Sequence, residues 1–240
     1  MQGPLIVVGL DFGTTFSGVA WALEGSISDI EVLSSWPGGG NKTSMKVPSV
    51  ISYNGHSIQW GYQLGPLTEA CRGIKLLFDE DQETNYIPFI ASKALLSRQG
   101  KDVVQVAGDY LGQLIKQVEE VIQRRLSIVI KDSTLKFVLT VPAVWSDKAK
   151  DATLRAAIKA GIPTQSVSLV SEPEAAALYA MRAIQPNSIA KRDVFIVCDA
   201  GGGTVDLISY MIKKSRALIS SRGNQGNGTR LRIYASGPEV

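Results

Sequence analysis

Histidine is all but missing from this 240-residue chain. His56 stands alone, which excludes a histidine-based metal centre and a histidine-dependent catalytic triad. Cys71 and Cys198 are the only cysteines, too few for a disulfide framework, and Cys198 falls within an apolar run that reads as a buried strand. No stretch approaches the roughly eighteen successive apolar residues of a membrane helix. The apolar N-terminal segment has no basic leader, so it reads as a core strand rather than a signal peptide. A reducing, intracellular setting, cytoplasmic or nuclear, is the expectation. Net charge is small at +3 and unevenly placed: from position 213 onward six basic residues face only Glu239, leaving the rest net acidic. The basic character therefore belongs to the tail and not to the folded body.

What is present is a pair of similar stretches. Val194, Phe195, Ile196, Val197 and Cys198 form an apolar, β-branched run that ends on Asp199, followed by Gly201, Gly202, Gly203 and Thr204, and then by a second extended segment to Tyr210. Near the other end, Leu5, Ile6, Val7, Val8 and Leu10 lead into Asp11. Gly13, Thr14 and Thr15 follow, then a second strand through Trp21. An aspartate entering a turn of backbone amides and hydroxyls suits a phosphate and its bound cation. A glycine-rich hairpin without a ligand is the bland reading of either stretch alone. Their recurrence about 190 residues apart is an internal repeat, which implies two lobes facing each other across a cleft.

Between the stretches, Pro37, Gly38, Gly39, Gly40 and Asn41 read as a linker loop. Asn54-Gly55 marks a two-residue hairpin. Residues 102–126 carry Val103, Val106, Leu111, Leu114, Ile115, Val118 and Ile122 at helical spacing, the pattern of a long amphipathic helix. Ser146 caps a further helix running to about Ala160, whose small inward residues predict a close approach to the sheet. Residues 167–170 read as a strand leading to Glu172, with Pro173 opening another helix. Glu172 at this junction suits either a helix cap or a catalytic carboxylate.

These motifs carry a family resemblance. DFGTTFSG (residues 11–18) and DAGGGTVD (residues 199–206) resemble the first and second phosphate motifs of the actin, sugar kinase and seventy-kilodalton heat-shock superfamily. VPAVWSDKAKDATLRAAIKAGI and SEPEAAALYA resemble the connecting region of its chaperone branch, in the wording of the divergent heat-shock-seventy-like members. The resemblance covers most of residues 5–211. It implies an α/β, actin-like (ribonuclease H-like) ATPase fold with a five-stranded mixed sheet in the first lobe. On that template residues 1–190 are the first lobe, with a small insertion at about 38–105. Residues 191–212 begin a second lobe that is cut short after the second phosphate motif; residues 213–240 lie outside the resemblance and, from their low-complexity composition, are expected to be a disordered basic tail.

The resemblance further implies ATP or ADP with Mg²⁺ as ligands. Gly13, Thr14, Thr15, Gly201, Gly202, Gly203 and Thr204 cradle the phosphates; Asp11 and Asp199 hold the metal, largely through its waters; Glu172, Asp206 and Asp199 form the catalytic set. The chaperones carry a phosphate-reaching lysine just after the insertion's opening hairpin. This chain has Trp60, Gly61, Tyr62, Gln63 and Leu64 there, so hydrolysis is expected to be weak or absent. The expected partners are a nucleotide and protein clients or partner chains, with no membrane and no strong nucleic-acid signal. A catalytically dead interaction module, and after it a sugar kinase-type phosphotransferase, are the alternative readings.

Overall fold

A computed structural model describes residues 4–26, 29–55, 57–79, 86–126, 134–183, 190, 192–201, 205–218 and 228–235. The chain divides into two compact units, Met1–Val170 and Ser171–Val240.

The first unit is built on a mixed sheet. Strands β1 (Leu5–Phe12) and β2 (Phe16–Leu23) form an antiparallel hairpin, and β1 runs parallel to β8 (Thr134–Val141). With β3 (Glu31–Val32) and β9 (Val167–Ser171) the order is β3-β2-β1-β8-β9, and the short β4 (Val47–Pro48) also pairs with β2. Alternation along β1 is strict: Ile6, Val8, Leu10 and Phe12 are buried on one face, as a period of two requires. The long helix α2 (Val103–Leu126) contributes Val106, Leu111, Leu114, Val118 and Ile122 to the same core, the stripe anticipated from the sequence.

Helix α3 (Asp147–Lys159) is capped by Ser146, whose hydroxyl accepts the Ala149 amide at 3.2 Å. Its small residues do produce a close approach, but to α2 rather than to the sheet. A Cβ added at Gly108 would stand 3.0 Å from Lys159 Cβ and 3.1 Å from the Ala156 carbonyl oxygen.

The insertion is a second antiparallel sheet, β6 (Ser57–Trp60), β5 (Val50–Asn54) and β7 (Cys71–Arg72). Asn54 pairs with Ser57, so the turn falls one residue later than the Asn-Gly signal predicted, with Gly55 at φ +60°. Helix α1 (Ile87–Gln99) closes this part. It gave no sequence signal because its apolar residues form no single stripe: Leu95 and Leu96 are buried while Ile87 and Ile90 are exposed. Its buried Ser92 is satisfied, accepting the Arg72 amide at 2.7 Å and donating to the Arg72 carbonyl at 2.8 Å. Edge and tilted ring contacts among Phe12, Phe78, Trp145, Tyr110, Trp60 and Trp36 link the insertion to the main sheet, with ring geometry typical of aromatic packing.

The second unit contains α4 (Glu172–Ala183) and a sheet ordered β10 (Val194–Ala200), β11 (Val205–Leu218), β12 (Gly228–Ala235). Ala177 and Met181 of α4 pack with Tyr210 and Ile212, and Phe195 stacks on Tyr210 at 5.6 Å. The expected first lobe ran to residue 190; the break at 170 assigns α4 to the second unit, where its apolar side is buried.

Two expectations change here. Cys198 is exposed, not buried, because β10 is covered on one face only and Val194, Ile196 and Cys198 share the other. The tail expected to be disordered from 213 contains strand: β11 runs on to Leu218 and pairs with β12. Arg230, Leu231, Arg232 and Ile233 alternate basic and apolar residues, a strand pattern inside a low-complexity composition.

Replacing Gly108 with leucine should overfill the α2–α3 contact and cost about 1–3 kcal/mol in a urea melt; an unchanged midpoint would mean the helices do not meet there. Burial pushes the Cys71 thiol up to about 11, so at pH 8 it stays protonated and unreactive. The native protein should therefore titrate one fast thiol, Cys198, and both only after unfolding. Equal rates for the two in the native state would contradict the burial of Cys71.

Candidate functional site

The first candidate turn lies where β1 hands over to β2. The last ladder pair is Phe12↔Ser17, so Gly13, Thr14 and Thr15 lie beyond the strand pairing. Glycine is required at position 13: a Cβ there would stand 2.2 Å from the Phe16 carbonyl oxygen. The turn is held from outside by Ser49. Its hydroxyl donates to the Gly13 carbonyl at 2.7 Å and its amide to the Thr15 carbonyl at 2.9 Å. Ser17 Oγ lies 2.8 Å from Ser49 Oγ. Since the one Ser49 proton goes to Gly13, Ser17 is the donor in that pair. Tyr110 donates its hydroxyl to the Pro48 carbonyl at 3.1 Å, and burial pushes its phenol well above the ordinary range.

Asp11 precedes the turn, half-buried, with both carboxylate oxygens engaged. Thr140 Oγ1 donates to Oδ1 at 3.3 Å, and the Lys46 ammonium lies 2.8 Å from Oδ2. Sequence reasoning missed Ser17, Ser49, Thr140 and Lys46. They come from β2, the β4 region and β8, and no spacing rule connects those segments to residue 11. The only available signal was the run Lys46, Val47, Pro48, Ser49 leading into a strand.

Segment 60–64, where no lysine was found, has a structural task. Gly61, Tyr62 and Gln63 form a short 3-10 turn, and the Tyr62 hydroxyl donates to the Lys46 carbonyl at 3.0 Å. Gly61 has φ +55° and leaves room for Val47, whose Cγ2 a Cβ would approach to 2.5 Å. Gly38, read as a mere linker residue, has φ +80° and lies against the backbone of Tyr62 and Gln63, 2.7 and 2.5 Å from where its Cβ would be. Lys75 is buried, with its ammonium 5.8 Å from the centre of the Trp145 ring.

In the second unit, Asp199 is half-buried near the end of β10 and occupies the ladder position opposite Asp206. Gly201 is exposed just after β10. Gly202, Gly203 and Thr204 lie outside the described residues. Glu172 is half-buried as the first residue of α4, directly after β9. Thus Asp11, Gly13, Thr14 and Thr15 come together in one unit, and Glu172, Asp199, Gly201 and Asp206 belong to the other. Among the described residues no three His, Cys, Asp or Glu side chains gather into a metal-binding group, and no helix is long and apolar enough to cross a membrane. Mg²⁺ does not need an all-protein cage, because it keeps waters and shares its ligands with phosphate oxygens.

Comparison with known proteins gives the family. A family model described as Hsp70 protein matches residues 7–215. The human heat shock 70 kDa protein 13 is 25% identical over 92% of this chain and 46% of its own length. The chaperone protein HscA homolog of Neisseria meningitidis serogroup B is 30% identical over 92% of this chain and 34% of its own. The human heat shock 70 kDa protein 12A is 28% identical over 74% of this chain and 29% of its own. The chain thus spans less than half the length of these curated relatives.

Ser49→Ala removes a buried hydroxyl that serves both Gly13 and Ser17. It should cost about 1–3 kcal/mol, read as a lower thermal midpoint with the far-ultraviolet spectrum retained. A cost near zero would show that the turn does not depend on this clamp.

Proposed function

The chain belongs to the Hsp70 family as a nucleotide-binding domain of its actin-like ATPase fold, and from that premise we propose that it binds Mg-ATP or Mg-ADP through its two aspartate–glycine turns and hydrolyses ATP slowly or not at all. One observation carries the reading. Asp11 leads into a glycine turn whose amides lie beyond the β ladder, and that turn is fixed by Ser49 before any ligand arrives. Such preorganisation is what phosphate recognition by backbone amides requires.

The donor set fits the ligand. Asp11 and Asp199 offer hard carboxylate oxygens of the kind Mg²⁺ prefers. When bound, the metal neutralises phosphate charge. In this reading Gly13, Thr14, Thr15 and Gly201, with Gly202, Gly203 and Thr204, receive phosphate oxygens. Glu172 and Asp206 orient the attacking water and take its proton, the role a carboxylate plays when no covalent intermediate forms. Weak turnover follows from segment 60–64, which buttresses β4 and brings no cation to the phosphates. Protein clients or partner chains belong to the same proposal by kinship with the chaperones.

The test is thermal unfolding with and without Mg-ATP. A ligand that binds only the folded state raises stability by mass action, about 2.7 kcal/mol at a hundredfold excess over Kd. The midpoint should rise for the wild type and should not move for Asp199→Ala or Asp11→Ala. An unmoved wild-type midpoint in a cooperatively unfolding chain would remove the nucleotide and leave the interaction-module reading.

A further inference from the structure

This inference rests on the nucleotide reading and assigns it a ligand-binding residue that the motifs do not contain. The Lys46 ammonium lies 2.8 Å from Asp11 Oδ2, beside the turn at Gly13, Thr14 and Thr15. Its aliphatic stem runs over Gly18, where an added Cβ would meet Lys46 Cγ at 3.7 Å and Cε at 3.9 Å. Gly18 is the ladder partner of Asp11, so the stem crosses β2 toward the carboxylate on β1. The backbone is pinned as well. The Lys46 carbonyl accepts the Tyr62 hydroxyl at 3.0 Å and the Ser44 hydroxyl at 2.7 Å, and the next residue, Val47, pairs with Ser17.

The ion pair itself adds little to folding. The Lys46 side chain is 55% exposed and that of Asp11 39%, and ion pairs so open to water contribute on the order of 0–1 kcal/mol. An ammonium is a compact charge with three donors, one of which serves Asp11. We propose that Lys46 is a phosphate-binding residue: its ammonium contacts the polyphosphate of a nucleotide held at the Gly13 turn, and Asp11 keeps it poised there. Positive charge thus reaches the hairpin from the start of β4 instead of from segment 60–64.

Dissociation constants for ATP, measured by titration calorimetry in Mg²⁺ and in EDTA, test this on wild type, Lys46→Met, Lys46→Arg and Lys42→Met. Losing a charge-assisted hydrogen bond to phosphate weakens binding about tenfold or more. Lys46→Met should show that loss, larger in EDTA than in Mg²⁺, and Lys46→Arg should recover most of it. Lys42→Met removes an exposed charge from the same loop and should stay within about twofold of wild type. Equal affinity for wild type and Lys46→Met overturns the proposal. So does a loss confined to Mg²⁺, because Lys46 would then act through the metal's ligands, and so does an equal loss in Lys42→Met, which would indicate the general field alone. Melting curves check each fold, with Lys46→Gln standing in if the methionine variant unfolds. If wild-type protein binds no ATP in either buffer, the nucleotide reading falls and this one with it; unimpaired Lys46→Met beside a binding wild type sinks this one alone.

Discussion

One serine hydroxyl fixes the part of this molecule on which its chemistry depends. Ser49 sits just after β4, and through 2.7 Å and 2.8 Å contacts it joins the Gly13 carbonyl on one side of the turn to Ser17 on the other. A turn of glycine and threonine has many conformations open to it, and freezing them on ligand binding would weaken the ligand by the entropy lost. Here the freezing happens on folding. The clamp needs β4 in place, β4 is buttressed by the 3-10 turn of the insertion, and that turn rests on the aromatic cluster around Trp60 and Tyr110. The insertion thus acts as a brace for the turn.

The two halves of the sequence repeat have unequal surroundings. The first turn lies in a unit with a core of buried strand, helix and insertion residues. The second leads from a sheet with α4 against one face, while Val194, Ile196 and Leu207 are exposed to solvent. Equal motifs therefore do not imply equal rigidity. Local stability follows the burial around a motif and not the motif itself.

Sequence reading succeeded where periodicity was strong and stopped where long-range contact decided. Strand β1, helix α2 and the Ser146 cap were legible because alternation, helical spacing and a capping hydroxyl are local signals. Helix α1 was not, since Ile87 and Ile90 point to water and blur its stripe. Cys198 was misplaced because an apolar strand looks the same whether one face or two are covered. The motif residues of the candidate site were visible as motifs, but the groups that engage Asp11 were not. Lys46 and Thr140 reach it from 35 and 129 positions away, and nothing in one sequence announces such meetings.

Gly38 and Gly61 leave a trace on how this chain can change over generations. Each has positive φ, and each leaves the space that another segment fills: Gly38 for the backbone of the 3-10 turn, Gly61 for the side chain of Val47. Neither neighbour can retreat without disturbing β4. A substitution at Gly61 is tolerable only after Val47 has become smaller, and one at Gly38 only if the turn has already been redrawn. The loop and the turn are thereby locked into drifting together, so lineages that keep the Ser49 clamp should keep both glycines or replace that whole neighbourhood at once.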